Sequence, residues 1–151
     1  MQVSKNFKIT EFVQIDTYAM YGAARSAQFI DGRLIDIVQY LRDSLGVPLT
    51  INDWCRGGKY NESGLRSPGD EHYSSQSQHT FGRAVDLKSS ELSTQVLYNK
   101  IAERFEQLNN LGATTLEGIR HTPSWVHLDC RYLGGQELTK FRVVGPGKTR
   151  K

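Results

Sequence analysis

From Ser124 to Tyr132 the chain reads SWVHLDCRY, and its alternation constrains the fold more than any other stretch. Val126, Leu128 and Cys130 point one way; Trp125, His127, Asp129 and Arg131 point the other. The first set asks for a hydrophobic core. The second set cannot be simple core, because unpaired buried charge is costly. A row running Trp-x-His-x-Asp also differs from the Thr, Lys and Glu of plain strand surface. The segment therefore predicts a sheet with one face on a core and the other lining a cleft.

The rest of the chain supplies that sheet with neighbours. From Ala27 to Leu45, apolar residues recur at Ile30, Leu34, Ile37, Val38, Leu41 and Leu45, the spacing of an amphipathic helix. Gly46 ends it and Pro48 follows. Leu49 to Trp54 reads as a strand, Cys55 to Gln78 as a long polar loop, and RAVDL as a further strand. A loop of that length in a compact domain is usually functional or disordered. Leu97, Ile101, Phe105 and Leu108 predict a helix from near Ser90 to Leu111, stopped by Gly112, and Thr114 to Ile119 predicts a strand. The order predicts an α+β fold, an antiparallel sheet with flanking helices. The 151 residues suit one core, with a domain over 1–135; residues 136–151 add an edge strand at KFRVV and a fraying basic tail, GPGKTRK.

Bulk properties narrow the function. The net charge is +3 and the pI near 8.9, which fits an anionic partner such as a cell wall. No basic stripe interleaves with aromatics, so nucleic acid is not the expected partner. The beginning, MQVSKNFKIT, has no apolar h-region, so no signal peptide is expected, and no apolar run is long enough for a membrane span. Cys55 and Cys130 lie far apart with no CxxC motif. Spacing leaves their pairing open, and two separate buried thiols are the plainer expectation.

The stretch SQHTFGRAVDL carries the chemistry. Asp86 interrupts an apolar strand between Val85 and Leu87, which needs an arginine or a metal to explain it. His79 stands just before, with Gly82 turning the chain between them. With His127, two imidazoles and a carboxylate offer zinc three ligands and leave a fourth position for water, the catalytic pattern. Taken singly, each is more ordinary: a satisfied structural histidine, or an aspartate in a salt bridge.

Together, SQHTFGRAVDL and the later SWVHLDCR resemble the signature of the M15 zinc peptidases, the D-alanyl-D-alanine carboxypeptidases and L-alanyl-D-glutamate endopeptidases. That pattern is S-x-H-x-x-G-x-A-x-D followed by a distant H-x-D, met here by Ser77, His79, Gly82, Ala84, Asp86, His127 and Asp129. SGLRSP resembles the family's S-G-[YF]-R-[ST] segment, and NFKITEFV resembles the start of a small subgroup found in phage and bacterial genomes. The likeness covers roughly residues 6 to 132. It implies the compact α+β fold shared with hedgehog and lysostaphin-type peptidases. It implies one Zn2+ per chain on His79, Asp86 and His127. Arg66 would hold a substrate carboxylate or stabilise an oxyanion. Ser77 would bond the substrate or orient the first ligand, Asp129 would fix a histidine tautomer, and Trp125 would line the site.

One departure stands out. Many M15 enzymes place a Glu or Asp general base three residues before the last histidine, and here that residue is Ser124. Relatives with a histidine two residues before have Trp125 here. The remaining candidates are His121, Glu117, Asp129 and the loop pair Glu71 and His72, with His121 favoured for its titration range. Arg56 is a minor candidate for carboxylate binding, and Trp54 reads as packing. The expected function is a monomeric zinc peptidase acting on peptidoglycan stem peptides or cross-links. It would be a phage endolysin or virion-associated enzyme, found in the producing cell or virion. A catalytically inactive zinc-binding descendant is the alternative, and a nucleic-acid protein, suggested by pI alone, comes third.

Overall fold

The structure, a computed structural model, describes residues 1–145. Of the tail GPGKTRK, all but Gly145 lies outside the described residues.

Among the described residues, four α-helices and four strands follow one another: α1 (Ile15–Ala27), α2 (Gly32–Leu45), β1 (Ala84–Leu87), α3 (Thr94–Ala102), α4 (Phe105–Asn110), β2 (Thr115–Glu117), β3 (Val126–Asp129) and β4 (Arg142–Val144). The sheet order is β1-β3-β2-β4. β3 runs antiparallel to both β1 and β2, whereas β4 runs parallel to β2. The sheet is therefore mixed, which corrects the purely antiparallel expectation. After β3 the chain crosses back along residues 130–141 before adding β4, so β4 enters in the same sense as β2.

The alternation of SWVHLDCR sets the two faces. Val85, Leu87, Leu116, Val126 and Leu128 join one buried cluster with Leu34, Ile37, Val38 and Leu41 of α2, and with Leu97, Ile101 and Leu108. Each such side chain stabilises the fold by roughly 1.5–3 kcal/mol on burial. Asp86, His127 and Asp129 face the other way and are also buried.

α2 begins at Asp31, whose side chain accepts from Arg33 N at 3.1 Å, and ends at Gly46. The chain before it forms α1, where the sequence predicted no element. Its buried residues are Thr17 and Ser26, and Gly22 interrupts its helical geometry, so no apolar stripe announces it. The long helix expected from Ser90 to Leu111 is two helices. Ser93 caps the first, and between them Arg104 leaves helical geometry, its guanidinium donating to Lys100 O at 2.8 Å. Phe105 then packs edge-on against Phe141, with ring centroids 5.1 Å apart. The strand expected over Leu49–Trp54 reduces to a single bridge between Thr50 and Lys88. Side chains there take over from a ladder: Asn52 donates to Val13 O and accepts from Ser63 N, and Asp53 accepts from Tyr60 N.

Residues 55–83 contain no strand and no α-helix. Their first part runs along the free edge of β1, where Asp86 N donates to Ser63 O at 2.8 Å. That contact covers an edge the sheet would otherwise expose. Cys55 is exposed, unlike the buried thiol expected, while Cys130 is buried, and both are free.

Candidate metal centre

β1 and β3 place two of the three residues directly. Asp86 pairs with His127 across the antiparallel ladder, so both project from the same face. His79 arrives from the loop. Its position depends on two glycines. Gly82 has φ 64°, and a Cβ there would lie 1.9 Å from Phe29 O. Gly64 sits so close to Phe12 that a Cβ would meet its carbonyl oxygen at 2.2 Å. Any side chain at either position would push the loop off the body of the protein. Gly64 in turn aims its carbonyl at His79.

The three ligand atoms converge. His79 Nε2 lies 3.2 Å from His127 Nδ1 and 3.3 Å from Asp86 Oδ1, and His127 Nδ1 lies 3.1 Å from Asp86 Oδ1. A tetrahedron has an edge about 1.6 times its centre-to-vertex distance, so zinc bonded at about 2.0–2.1 Å spaces its ligands about 3.3 Å apart. The cluster matches that spacing.

Hydrogen bonds on the far side of each ring decide what faces inward. His79 Nδ1 donates to Gly64 O at 2.7 Å, since a carbonyl can only accept. His127 Nε2 donates to Asp129 Oδ2 at 3.1 Å. With those protons committed, His79 Nε2, His127 Nδ1 and Asp86 Oδ1 present lone pairs to one another. Three buried acceptors pointing at one place require a cation or a proton between them.

Without a metal, the proton sits on His127. Burial alone would push its pKa down, but the bonds to Asp129 and Asp86 outweigh burial and raise it to about 9. Burial lowers His79 below its usual value, keeping it neutral. Burial would raise Asp86, yet the imidazoles packed against it, and above all the bond and charge of protonated His127, hold it well below the usual carboxylate range. Asp129 is likewise held low, against its burial, by His127 and Arg131. Arg131 donates from Nε to Asp129 Oδ1 at 2.9 Å, so the carboxylate that orients His127 is itself fixed.

A cavity of about 630 Å³ opens over the cluster, lined among others by Arg66, His72, Ser77, Glu117, Trp125 and Arg131. A smaller one of about 320 Å³ adjoins it and shares Arg66, His72, Asp86 and Trp125. The register Thr115↔Asp129 and Leu116↔Leu128, carried on by one residue, sets Glu117 opposite His127. Asp86, His127 and Glu117 thus form a row across three strands, and Glu117 lines the cavity.

The other predicted residues fall as follows. Arg66 lines both cavities, but Nη2 bonds Asp86 Oδ2 at 2.9 Å and Nε bonds Glu62 O at 2.8 Å, so it first braces a candidate ligand. Ser77 Oγ accepts from His79 N at 3.3 Å. Asp129 is fully buried behind His127 and does not line the cavity. His121 is exposed, stands beside Gly118 and Gly145, and does not line the cavity either. Arg56 pairs with Glu11 at 3.3 Å, away from both cavities. Trp54 donates to Val13 O and packs on Tyr18, as a structural residue does.

Sequence reasoning did not single out Glu62. Its carboxylate takes the backbone N–H of Glu71 and of His72 and the His72 ring. No periodicity marks a contact made by a loop folding back on itself.

No helix among the described residues is long and apolar enough to cross a membrane. Nothing among curated proteins or solved structures matches the chain. A family model, described as Peptidase M15, matches residues 5–129. That span includes His79, Asp86, His127 and Asp129, and the chain belongs to the M15 peptidases.

Proposed function

We propose that the protein is a zinc-dependent peptidase that hydrolyses peptide bonds in peptidoglycan stem peptides or cross-links. The observation that carries this reading is the convergence of three buried lone pairs, spaced for a tetrahedral ion, at the floor of an open cavity. When bound, zinc supplies a Lewis acid that acidifies water and polarises a carbonyl. His79 Nε2, Asp86 Oδ1 and His127 Nδ1 would hold it.

Glu117 fills the role left open by Ser124. It reaches the cavity from β2 rather than from the residues just before His127, and it would accept the proton of the attacking water. Asp129 holds the His127 tautomer. Arg66 and Arg131 give the cavity a cationic lining, which suits stem peptides with their free carboxylates. The likeness of NFKITEFV to small phage and bacterial M15 proteins supports a lytic role. An inactive zinc-binding descendant would need neither an open cavity nor a carboxylate set beside the cluster.

The test is direct. The full-length protein, loaded with zinc, is incubated with purified peptidoglycan, and the soluble products are examined by mass spectrometry for new amino and carboxyl ends. Cleavage that stops on chelation and returns with zinc supports the reading. A zinc-loaded protein that leaves all stem peptides intact would sink it.

A further inference from the structure

Glu62 and His72 lie ten residues apart in the loop, yet they form a carboxylate–histidine pair at the cavity. His72 Nδ1 donates to Glu62 Oε2 at 3.0 Å. The same carboxylate takes His72 N at 3.0 Å and Glu71 N at 3.2 Å. The last two bonds would suffice to close a turn. The ring bond does something else: it fixes the imidazole plane and leaves Nε2 as the nitrogen open to a ligand. Burial would raise Glu62, but the bonds from His72 and Glu71 outweigh it and keep the carboxyl ionised.

The pair is placed relative to the cluster. Glu62 precedes Ser63, whose carbonyl accepts from Asp86 N, so the pair stands on the β1 side. Glu117 stands on the β2 side of His127. His72 lines both cavities, and its side chain is 64% exposed, so a bound peptide can reach it. Arg66 joins the pair to the cluster through Glu62 O and Asp86 Oδ2.

Resting on the peptidase reading above, we infer that His72 is a second catalytic residue, the acid that protonates the departing amine, and that Glu62 is its positioning residue. A water attacks the peptide carbonyl carbon and gives one proton to Glu117. As the C–N bond breaks, the imidazolium of His72 gives its Nε2 proton to the leaving nitrogen. One water is consumed, and one carboxyl and one amine are produced. Glu117 and His72 then exchange protons with solvent and return to their starting states. Acid and base thus come from different parts of the chain, on the two sides of the cluster.

The experiment compares wild type, His72→Ala, Glu62→Gln and the double variant, all full length and zinc-loaded, on soluble peptidoglycan stem-peptide fragments. His72→Ala is expected to lower kcat by about 100-fold or more, with KM changed less than about threefold, and with zinc content and Tm unchanged. Glu62→Gln is expected to cost about tenfold alone and nothing further in the His72→Ala background, because it acts through that ring. His72→Ala within about threefold of an active wild type would overturn the pair and leave the peptidase reading standing. Losses confined to KM or Tm, or losses that multiply in the double variant, would overturn it too, making the contact a loop brace. A zinc-loaded wild type that cleaves nothing removes the peptidase reading and this inference with it.

Discussion

The candidate site is built from two regions that achieve position by different means. Asp86, His127 and Glu117 are set by a sheet, where the ladder register fixes which residues stand side by side. Arg66, His72 and His79 come from residues 55–83, which have no ladder. Asp53 just before this segment, and Glu62 and Asp70 within it, each accept from its backbone N–H groups and hold it in shape. A sheet position tolerates changes in its neighbours, because many backbone bonds share the work. A loop position of this kind hangs on single carboxylates and on Gly64 and Gly82. The difference predicts that substitutions on the sheet change chemistry at constant architecture, whereas those at Gly64 and Gly82 change the path of the loop first.

The sharpest probe of the sheet half is His127→Ala. Metal content by elemental mass spectrometry should fall from about one ion per chain to background, because two ligands cannot hold catalytic zinc. Glu117→Gln should leave zinc bound while lowering kcat by about 10²–10⁴-fold, the range for a general base. A Glu117→Gln protein with unchanged kcat would break the assignment of the base to the sheet.

Proton linkage gives the next effect. In the metal-free protein the folded pKa of His127, about 9, lies above its ordinary value of 6.5. The protonated ring stabilises the fold fully below pH 6.5, and that stabilisation is lost as pH rises through 9. Zinc needs the neutral ring, so its apparent affinity should fall about tenfold per pH unit below about 9, or roughly 100-fold between pH 9 and pH 7. Calorimetric titration at pH 7 in two buffers of different ionisation enthalpy should record about one proton released per zinc. Asp129→Asn would weaken the bond that orients His127 and should cost about 10–100-fold in zinc affinity. The smallest effect belongs to the loop. Ser77→Ala removes one 3.3 Å acceptor from His79 N, worth about 1 kcal/mol, and should weaken zinc about fivefold. A loss as large as that of Asp129→Asn would erase the contrast between the two halves.

Much of this is legible in the sequence. Alternation in SWVHLDCR carries both faces of β3, and the same period in RAVDL puts Asp86 opposite Val85 and Leu87, so two of the three cluster residues follow from local pattern. The α2 stripe reads equally well. What could not be read is what depends on distant partners. Glu117 becomes a neighbour of His127 only through the β2–β3 register, and β4 runs parallel only because of the path the chain takes after β3. α1 buries Thr17 and Ser26 instead of an apolar stripe, so its fold signal is tertiary. The Glu62–His72 pair is set by loop geometry that no spacing rule describes. The resemblance singles out Arg66, and Asp86 calls for an arginine or a metal, but that the two meet across twenty residues is not set by any spacing.

That last bond reaches beyond the site. Arg66 is a single guanidinium holding a candidate metal ligand with one nitrogen and the loop carbonyl of Glu62 with another. Order in the loop and occupancy of the metal position are therefore linked equilibria, and linkage is reciprocal. The factor by which a bound peptide changes the affinity for the ion must equal the factor by which the ion changes the affinity for the peptide. Where peptide and ion favour the same state of the loop, saturating substrate would protect a bound ion from chelators, and loss of the ion would weaken peptide binding.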